Sequence, residues 1–331
     1  MKKIIIVNSL IFFFLIVALE CFIRFFDLAN PLGYDKNLYN HSNNLITHNP
    51  NIVSKVFGKT VFTDSNGFRI PKKNFIYSKN NSILILGDST SFGSGVIEEK
   101  TFIGLLRQNS NNNFYNASVA GHSLKDHIAS IKRYSPKIDF SKIVIFLNID
   151  DIKSVKLNDN NKINKIKKNN LNFINNLKSV KILSDINIFF RDKSTLYVFL
   201  KSSISKPQSR IFKDIYKDYF KEENLNSYTN ELNSLINYLP NVLDKEIYFI
   251  LLPFEFQTRA KNCNKEYLVP QKIIEEIMSL NRVNYFDFTN QFCNSINPHK
   301  LYLPFDPAHL SKKGNQLVRD TLLKSSSLFR D

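Results

Sequence analysis

Three short apolar runs constrain this chain more than any other feature. Ser82–Leu86 (SILIL), Lys142–Leu147 (KIVIFL) and Glu246–Leu252 (EIYFILL) are continuous rather than alternating, and each stops at Gly87, Asn148 or Pro253. A strand that is apolar on both faces must be covered on both, as in a parallel sheet between helices. The intervening sequence supplies the covers, with helical spacing at Thr101–Arg107, Ser123–Tyr134, Leu171–Phe190, Thr195–Ser203, Asn224–Leu239, Gln271–Asn281 and Leu310–Leu328. Ser123 reads as an N-cap with Asp126 in the first turn. Phe114–Asn116 and Val283–Phe286 are shorter strand candidates, whereas residues 28–80 read as polar and irregular, with turn signals at Pro31–Gly33 and Ser65–Gly67. Strands alternating with helices predict an α/β fold with a mainly parallel sheet. In such sheets ligands sit beyond the carboxyl ends of the strands, so residues that directly follow a strand are the functional candidates.

The N-terminus is a different kind of segment. After Lys2 and Lys3, only Asn8 and Ser9 interrupt the apolar residues from Ile4 to Leu19, and the run continues to Phe26. At 1.5 Å per residue this spans a hydrocarbon core of ~30 Å. The two lysines place the N-terminus in the cytoplasm and everything after Phe26 across the membrane, periplasmic or at the cell surface. The apolar run is followed by Glu20-Cys21-Phe22-Ile23-Arg24 rather than a small-x-small cleavage site, which favours an uncleaved signal-anchor. Residues 1–27 are therefore read as a transmembrane anchor and 28–331 as one exported domain. That domain carries a helical, Asn/Lys-rich insertion at about 151–240.

Export gives meaning to the cysteines. Cys263 and Cys293 lie 30 positions apart in the exported part, and a bridge between them would close a loop worth ~3–4 kcal/mol in the chain-entropy model. The formal charge of +16 reflects a composition in which Asn, Lys and Ile are inflated throughout, as in residues 158–176, which hold 9 Asn among scattered lysines with no Arg and one aromatic, Phe173. That pattern argues against nucleic acid and for a solvated surface or attraction to anionic lipid. No metal-ligand constellation is visible, and no cofactor is expected.

Two motifs carry chemistry. Leu86-Gly87-Asp88-Ser89-Thr90-Ser91-Phe92-Gly93 follows the first apolar strand, and five of the nine glycines fall between Gly87 and Gly121. Such a concentration points to close backbone approach, and Ser89 at a strand-to-helix turn would expose its hydroxyl and its backbone N–H. Near the other end stands Phe305-Asp306-Pro307-Ala308-His309-Leu310. A carboxylate three residues before a histidine can hold one imidazole nitrogen while the other faces a nucleophile.

Taken together, the Gly-Asp-Ser and Asp-x-x-His blocks resemble the SGNH (GDSL-type) hydrolase superfamily over roughly residues 82–320. The resemblance implies a flavodoxin-like three-layer α/β/α sandwich that hydrolyses or transfers esters, with Ser89 as nucleophile, His309 as general base and Asp306 as its orienting partner. It implies an oxyanion hole from the Ser89 N–H, the Gly121 N–H and an asparagine after the third strand. Here Asp150 occupies that asparagine's place, and Asn148, two residues earlier, is the substitute donor. Thr63–Arg69 is similar to a segment of membrane-anchored members, with Asp64 where they carry Asn. Asp88, His122, Glu255, Gln257 and Arg259 are expected to line the substrate site.

The sequence thus predicts a membrane-anchored serine esterase acting on an acyl ester of an envelope glycan or lipid. An O-acyltransferase served by a membrane acyl-donor partner stays open, as does a non-catalytic glycan-binding protein on the same fold.

Overall fold

The computed structural model describes residues 2–42, 45–79, 81–152, 178–207, 216–242, 244–259, 263, 265–325 and 329. The Asn/Lys-rich stretch 158–176 and the first part of the helix expected over 171–190 lie outside the described residues.

The chain begins with helix α1 (Lys2–Phe25), a hairpin of β1 (Tyr39–Ser42) and β2 (Leu45–His48), and three short strands, β3 (Val53–Val56), β4 (Lys59–Thr63) and β5 (Arg69–Ile70). The αβ core follows as β6 (Asn81–Leu86), α2 (Ser89–Phe92), α3 (Phe102–Asn109), β7 (Asn112–Asn116), α4 (Leu124–Tyr134) and β8 (Lys142–Leu147). Helices α5 (Lys178–Lys193), α6 (Thr195–Ser205) and α7 (Glu222–Val242) lead to β9 (Glu246–Leu251), α8 (Glu255–Thr258), α9 (Val269–Leu280), β10 (Asn284–Asp287), α10 (Thr289–Cys293) and α11 (Lys312–Ser325).

Eight strands form one sheet in the order β10-β9-β8-β6-β7-β5-β4-β3. The five from β10 to β7 pair in parallel, and β5, β4 and β3 extend the β7 edge antiparallel. β6 pairs with both β7 and β8, so the order of the parallel strands reverses around it. That is the switch point where open α/β sheets bind ligands.

The apolar runs behave as their composition requires. In β6, Leu84 and Leu86 enter one core and Ile83 and Ile85 the other; in β8, Ile143, Ile145 and Leu147 oppose Val144 and Phe146. Leu124 and Ile131 of α4, Leu232 and Leu235 of α7 and Ile274 of α9 cover the first face. Phe102 and Leu106 of α3 with Val318 and Leu322 of α11 cover the second. The architecture is the three-layer α/β/α sandwich the resemblance implied. α4 starts as expected, with the Ser123 N–H and hydroxyl both donating to the Asp126 carboxylate, at 2.8 and 2.7 Å.

Residues 28–80 depart from the irregular reading, since five strands form there. They are two to five residues long, and in β3 the buried positions are Ser54 and Val56 while Val53 and Lys55 are exposed. Hydropathy alone does not announce such strands; their antiparallel neighbours specify them.

Helix α1 is long and apolar enough to cross a membrane, with a mean hydropathy of 2.6 over its most apolar window and none of that window buried. Cys263 and Cys293 are bonded to each other with a Cα–Cα distance of 5.6 Å, tying the chain after α8 to the end of α10.

Candidate active site

The turn that carries Ser89 is built by its neighbours. β6 ends at Leu86, and a Cβ on Gly87 would lie 2.1 Å from Ser91 Oγ and 3.1 Å from Phe146 Cβ, so only glycine lets the chain turn this tightly. Asp88 then caps the one-turn α2, accepting the Thr90 N–H at 2.8 Å. Gly93 closes the helix at φ +85°, and its N–H donates to the Ser89 and Thr90 carbonyls at 3.1 Å each. Below the turn, the fully buried Arg69 guanidinium donates to the carbonyls of Phe92, Gly93 (2.8 Å) and Val96 and lies 4.8 Å from the centre of the Phe92 ring. A cation at the end of this short helix meets its exposed carbonyls. Ser89 itself is half-buried, within reach of a ligand.

The second motif arrives from the segment before α11. Asp306 Oδ1 accepts the N–H groups of Ala308 and His309, both at 2.9 Å, which folds Asp306–His309 into a tight turn. His309 Nδ1 lies 2.8 Å from Asp306 Oδ2, and His309 Nε2 lies 2.9 Å from Ser89 Oγ. Residues separated by 220 positions thus form one continuous chain of hydrogen bonds. The Phe57 ring stands edge-on to the imidazole, 5.1 Å between centres, and screens it from water.

The electrostatics follow from this geometry. Burial alone disfavours the His309 imidazolium, but the Asp306 carboxylate, with the more distant charges of Asp88 and Asp150, outweighs it, so His309 titrates above its ordinary range. Burial pushes the Asp306 carboxyl up, and contact with His309 and the two backbone N–H groups more than reverses that, holding it below the usual carboxylate value. A neutral imidazole here can take the Ser89 proton while Asp306 remains charged.

Asn148, directly after β8, is buried, and its Oδ1 accepts the Asp150 N–H at 2.8 Å, which leaves Nδ2 as the donor atom of its amide. Gly121 has φ +83°, and a Cβ there would meet nothing within 4 Å, so the turn faces open space. The Asp150 carboxylate accepts the Tyr219 hydroxyl at 3.2 Å, a contact invisible in the sequence.

Several expected substrate contacts are used within the fold. His122 is buried with Nε2 2.6 Å from the Ile46 carbonyl, so it joins β2 to the α4 turn instead of lining the site. Gln257 is fully buried; its amide donates to the Tyr267 carbonyl and Gln271 Oε1 at 2.8 and 2.9 Å, and its oxygen accepts the Phe254 N–H at 2.9 Å. Glu255 pairs with Arg259 at 2.5 Å one turn along α8. Glu255 also lines a cavity of about 650 Å³ beside Phe26, Leu28, Phe199 and Phe305, and neither Ser89 nor His309 lines that cavity. Asp88 serves chiefly as the α2 cap, with Oδ2 3.5 Å from Ser89 Oγ.

The bracing role of Arg69 is what sequence reasoning missed. Its signal was the Gly67-Phe68-Arg69 block; its target, the end of α2, is visible only in three dimensions. Among the described residues no cluster of His, Cys, Asp or Glu that could hold a metal ion is found.

No family model matches the sequence, and neither does any curated protein. Among solved structures, a lipolytic protein of the G-D-S-L family from Veillonella parvula aligns with 74% of this chain and 98% of its own at 11% identity and a TM-score of 0.43. A lipase/acylhydrolase from Enterococcus faecalis covers 74% of this chain and 94% of its own at 10% identity and TM-score 0.45. A catalytic mutant of the acetylxylan esterase Axe2 from Geobacillus stearothermophilus covers 75% and 94% at 12% identity and TM-score 0.43. At TM-scores below 0.5 these likenesses assign no chemistry to this chain.

Proposed function

We propose that this protein is a membrane-anchored serine ester hydrolase acting on an acyl ester of an envelope glycan or lipid. The observation that carries the reading is the relay Ser89 Oγ–His309 Nε2–His309 Nδ1–Asp306 Oδ2, with links of 2.9 and 2.8 Å. Ser89 Oγ attacks the acyl carbonyl carbon as His309 Nε2 takes its proton, and Asp306 stabilises the imidazolium. The oxyanion receives the Ser89 N–H and Asn148 Nδ2, with the Gly121 N–H as third donor. His309 then returns the proton to the departing alkoxide, and water, deprotonated by the same imidazole, cleaves the acyl-enzyme to free acid. Helix α1 holds the domain at the bilayer, with Lys2 and Lys3 on the cytoplasmic side and the hydrolase domain on the other.

The test uses the full chain in detergent with a small aryl ester and a fluorophosphonate. Wild type hydrolyses the ester and is labelled covalently; Ser89→Ala, with an unchanged circular dichroism spectrum, loses labelling and at least ~10³-fold in kcat/KM. Equal rates for the two would remove the proposal. Acylated glycan instead of free acid, in the presence of a glycan acceptor, would reassign the second step from water to a sugar hydroxyl.

A further inference from the structure

Helices α5 and α6 form a hairpin that the catalytic reading does not use, and it is built unlike the rest of the domain. On α5 the side chains of Leu183, Ile186, Phe189 and Phe190 are exposed, Leu183 to 63% and Phe189 to 59%. At 100° per residue these four occupy one arc of about 120°, and Ile188, the least exposed of the described apolar residues there at 41%, lies outside it. On α6, Leu200 and Ile204, one turn apart, are 54% and 85% exposed. An apolar arc of this size left in water is unusual for a soluble domain. The two helices are joined by the Tyr197 hydroxyl, which donates to Asn187 Oδ1 at 2.7 Å, and by the Phe190 ring at the margin of the arc, 5.7 Å from the Tyr197 ring.

The turn of the hairpin is fastened to α1. Glu20 accepts the Ser194 hydroxyl (2.8 Å), the Thr195 N–H and hydroxyl (3.0 and 2.8 Å) and the Leu196 N–H (2.8 Å), so a carboxylate of α1 caps α6. Arg24 donates to the Lys193 carbonyl at 2.7 Å and pairs with Glu20 at 2.6 Å, and Ile23 is buried with Val198. Counting ~1.5 Å per residue from Ile4, Glu20 to Arg24 lie at the far boundary of a ~30 Å hydrocarbon core. The hairpin therefore starts at headgroup level.

We infer that α5 and α6 form a second membrane contact, lying in the bilayer interface with the apolar arc of α5 turned to the acyl chains; this rests on the anchoring reading above. Continuity with α1 selects lipid as the occupant. The hairpin carries Arg191, Lys193, Lys201 and Lys206 against the acidic Asp185 and Asp192, a net positive charge suited to anionic headgroups. Together with α1 this gives the domain two attachments, which restrict its tilt and hold the Ser89 end of the sheet near the membrane.

The chain contains no tryptophan, so single reporters test this directly. Phe189→Trp and Leu200→Trp report on the hairpin, Phe13→Trp on the middle of α1, and Leu280→Trp on an exposed position ahead of β10, at the opposite end of the parallel strands. The full chain is placed in vesicles of phosphatidylcholine and phosphatidylglycerol carrying a nitroxide shallow or deep in the acyl chain. Emission from Phe189→Trp and Leu200→Trp should shift to the blue and be quenched severalfold more by the shallow label than by the deep one, with Leu280→Trp unaffected. Phe13→Trp should respond to the deep label. Hairpin reporters that match Leu280→Trp, blue-shifted emission without lipid quenching (a second copy or another protein covering the face), or strongest quenching by the deep label would each overturn the inference. Where Phe13→Trp is quenched and the hairpin is not, only this inference falls; where neither is quenched, the anchoring reading falls with it.

Discussion

Two acid–base pairs stand on adjoining turns at the same end of the sheet, and they come to different ends. Asp306 and His309 are three residues apart on the segment before α11; Glu255 and Arg259 are four apart on α8, and the Glu255 N–H donates to the Pro307 carbonyl at 2.8 Å. In both, a buried carboxylate holds a base. The imidazole has a second nitrogen, and that nitrogen meets Ser89 Oγ at 2.9 Å. A guanidinium has no lone pair to offer and is always charged, so the Glu255–Arg259 pair cannot relay a proton. What separates the two pairs is the far side of the group that the carboxylate holds.

The sharpest way to break this comparison is Asp306→Asn. It should preserve the turn but favour the wrong imidazole tautomer, lowering kcat by ~10⁴ in steady-state assays with little change in KM. A loss no larger than that of Glu255→Gln would make the two pairs equivalent and sink the distinction. Asn148→Ala tests the donor assigned in place of the asparagine that Asp150 displaces. It should lower kcat by ~10²–10³ and slow, without abolishing, fluorophosphonate labelling of the folded protein.

The pH profile sharpens the same contrast. His309 titrates above its ordinary range of ~6.5 and acts as a base only when neutral, so kcat/KM should rise with pH through an acid limb lying above that value. The same raised pKa means that the His309–Asp306 pair adds stability below the ordinary imidazole range, which is lost as pH rises through the folded value. Asp150→Asn removes one of the charges that hold His309 up and should move the limb to lower pH; a limb that stays put would show that Asp150 does not act on the relay. The smallest effect belongs to Glu255→Gln. It should change kcat by less than about threefold and lower the unfolding free energy by about 1 kcal/mol in a denaturant titration, since Arg259 is substantially exposed.

Much of this was legible in the primary structure. The runs at 82–86, 142–147 and 246–252 are apolar on both faces and became β6, β8 and β9, because burial from two sides leaves no room for a polar residue. The Ser89 and Asp306–His309 blocks were legible because tight turns restrict which residues fit them. Residues 28–80 were not legible as sheet, and the short β3–β5 took their register from β7. The internal hydrogen bonds of His122 and Gln257 were not legible, because a polar side chain after a strand looks the same whether it faces a substrate or a carbonyl of its own chain.

The sequence by itself determined the layers, the anchor-like first helix and the chemistry available at each turn, since these depend on local pattern and on residue type. Only the tertiary structure decided which turns meet. The 2.9 Å contact across 220 residues, the bracing of the Ser89 turn by Arg69 and the fastening of the α5–α6 hairpin to Glu20 are all set by packing between distant segments, which a one-dimensional pattern does not encode.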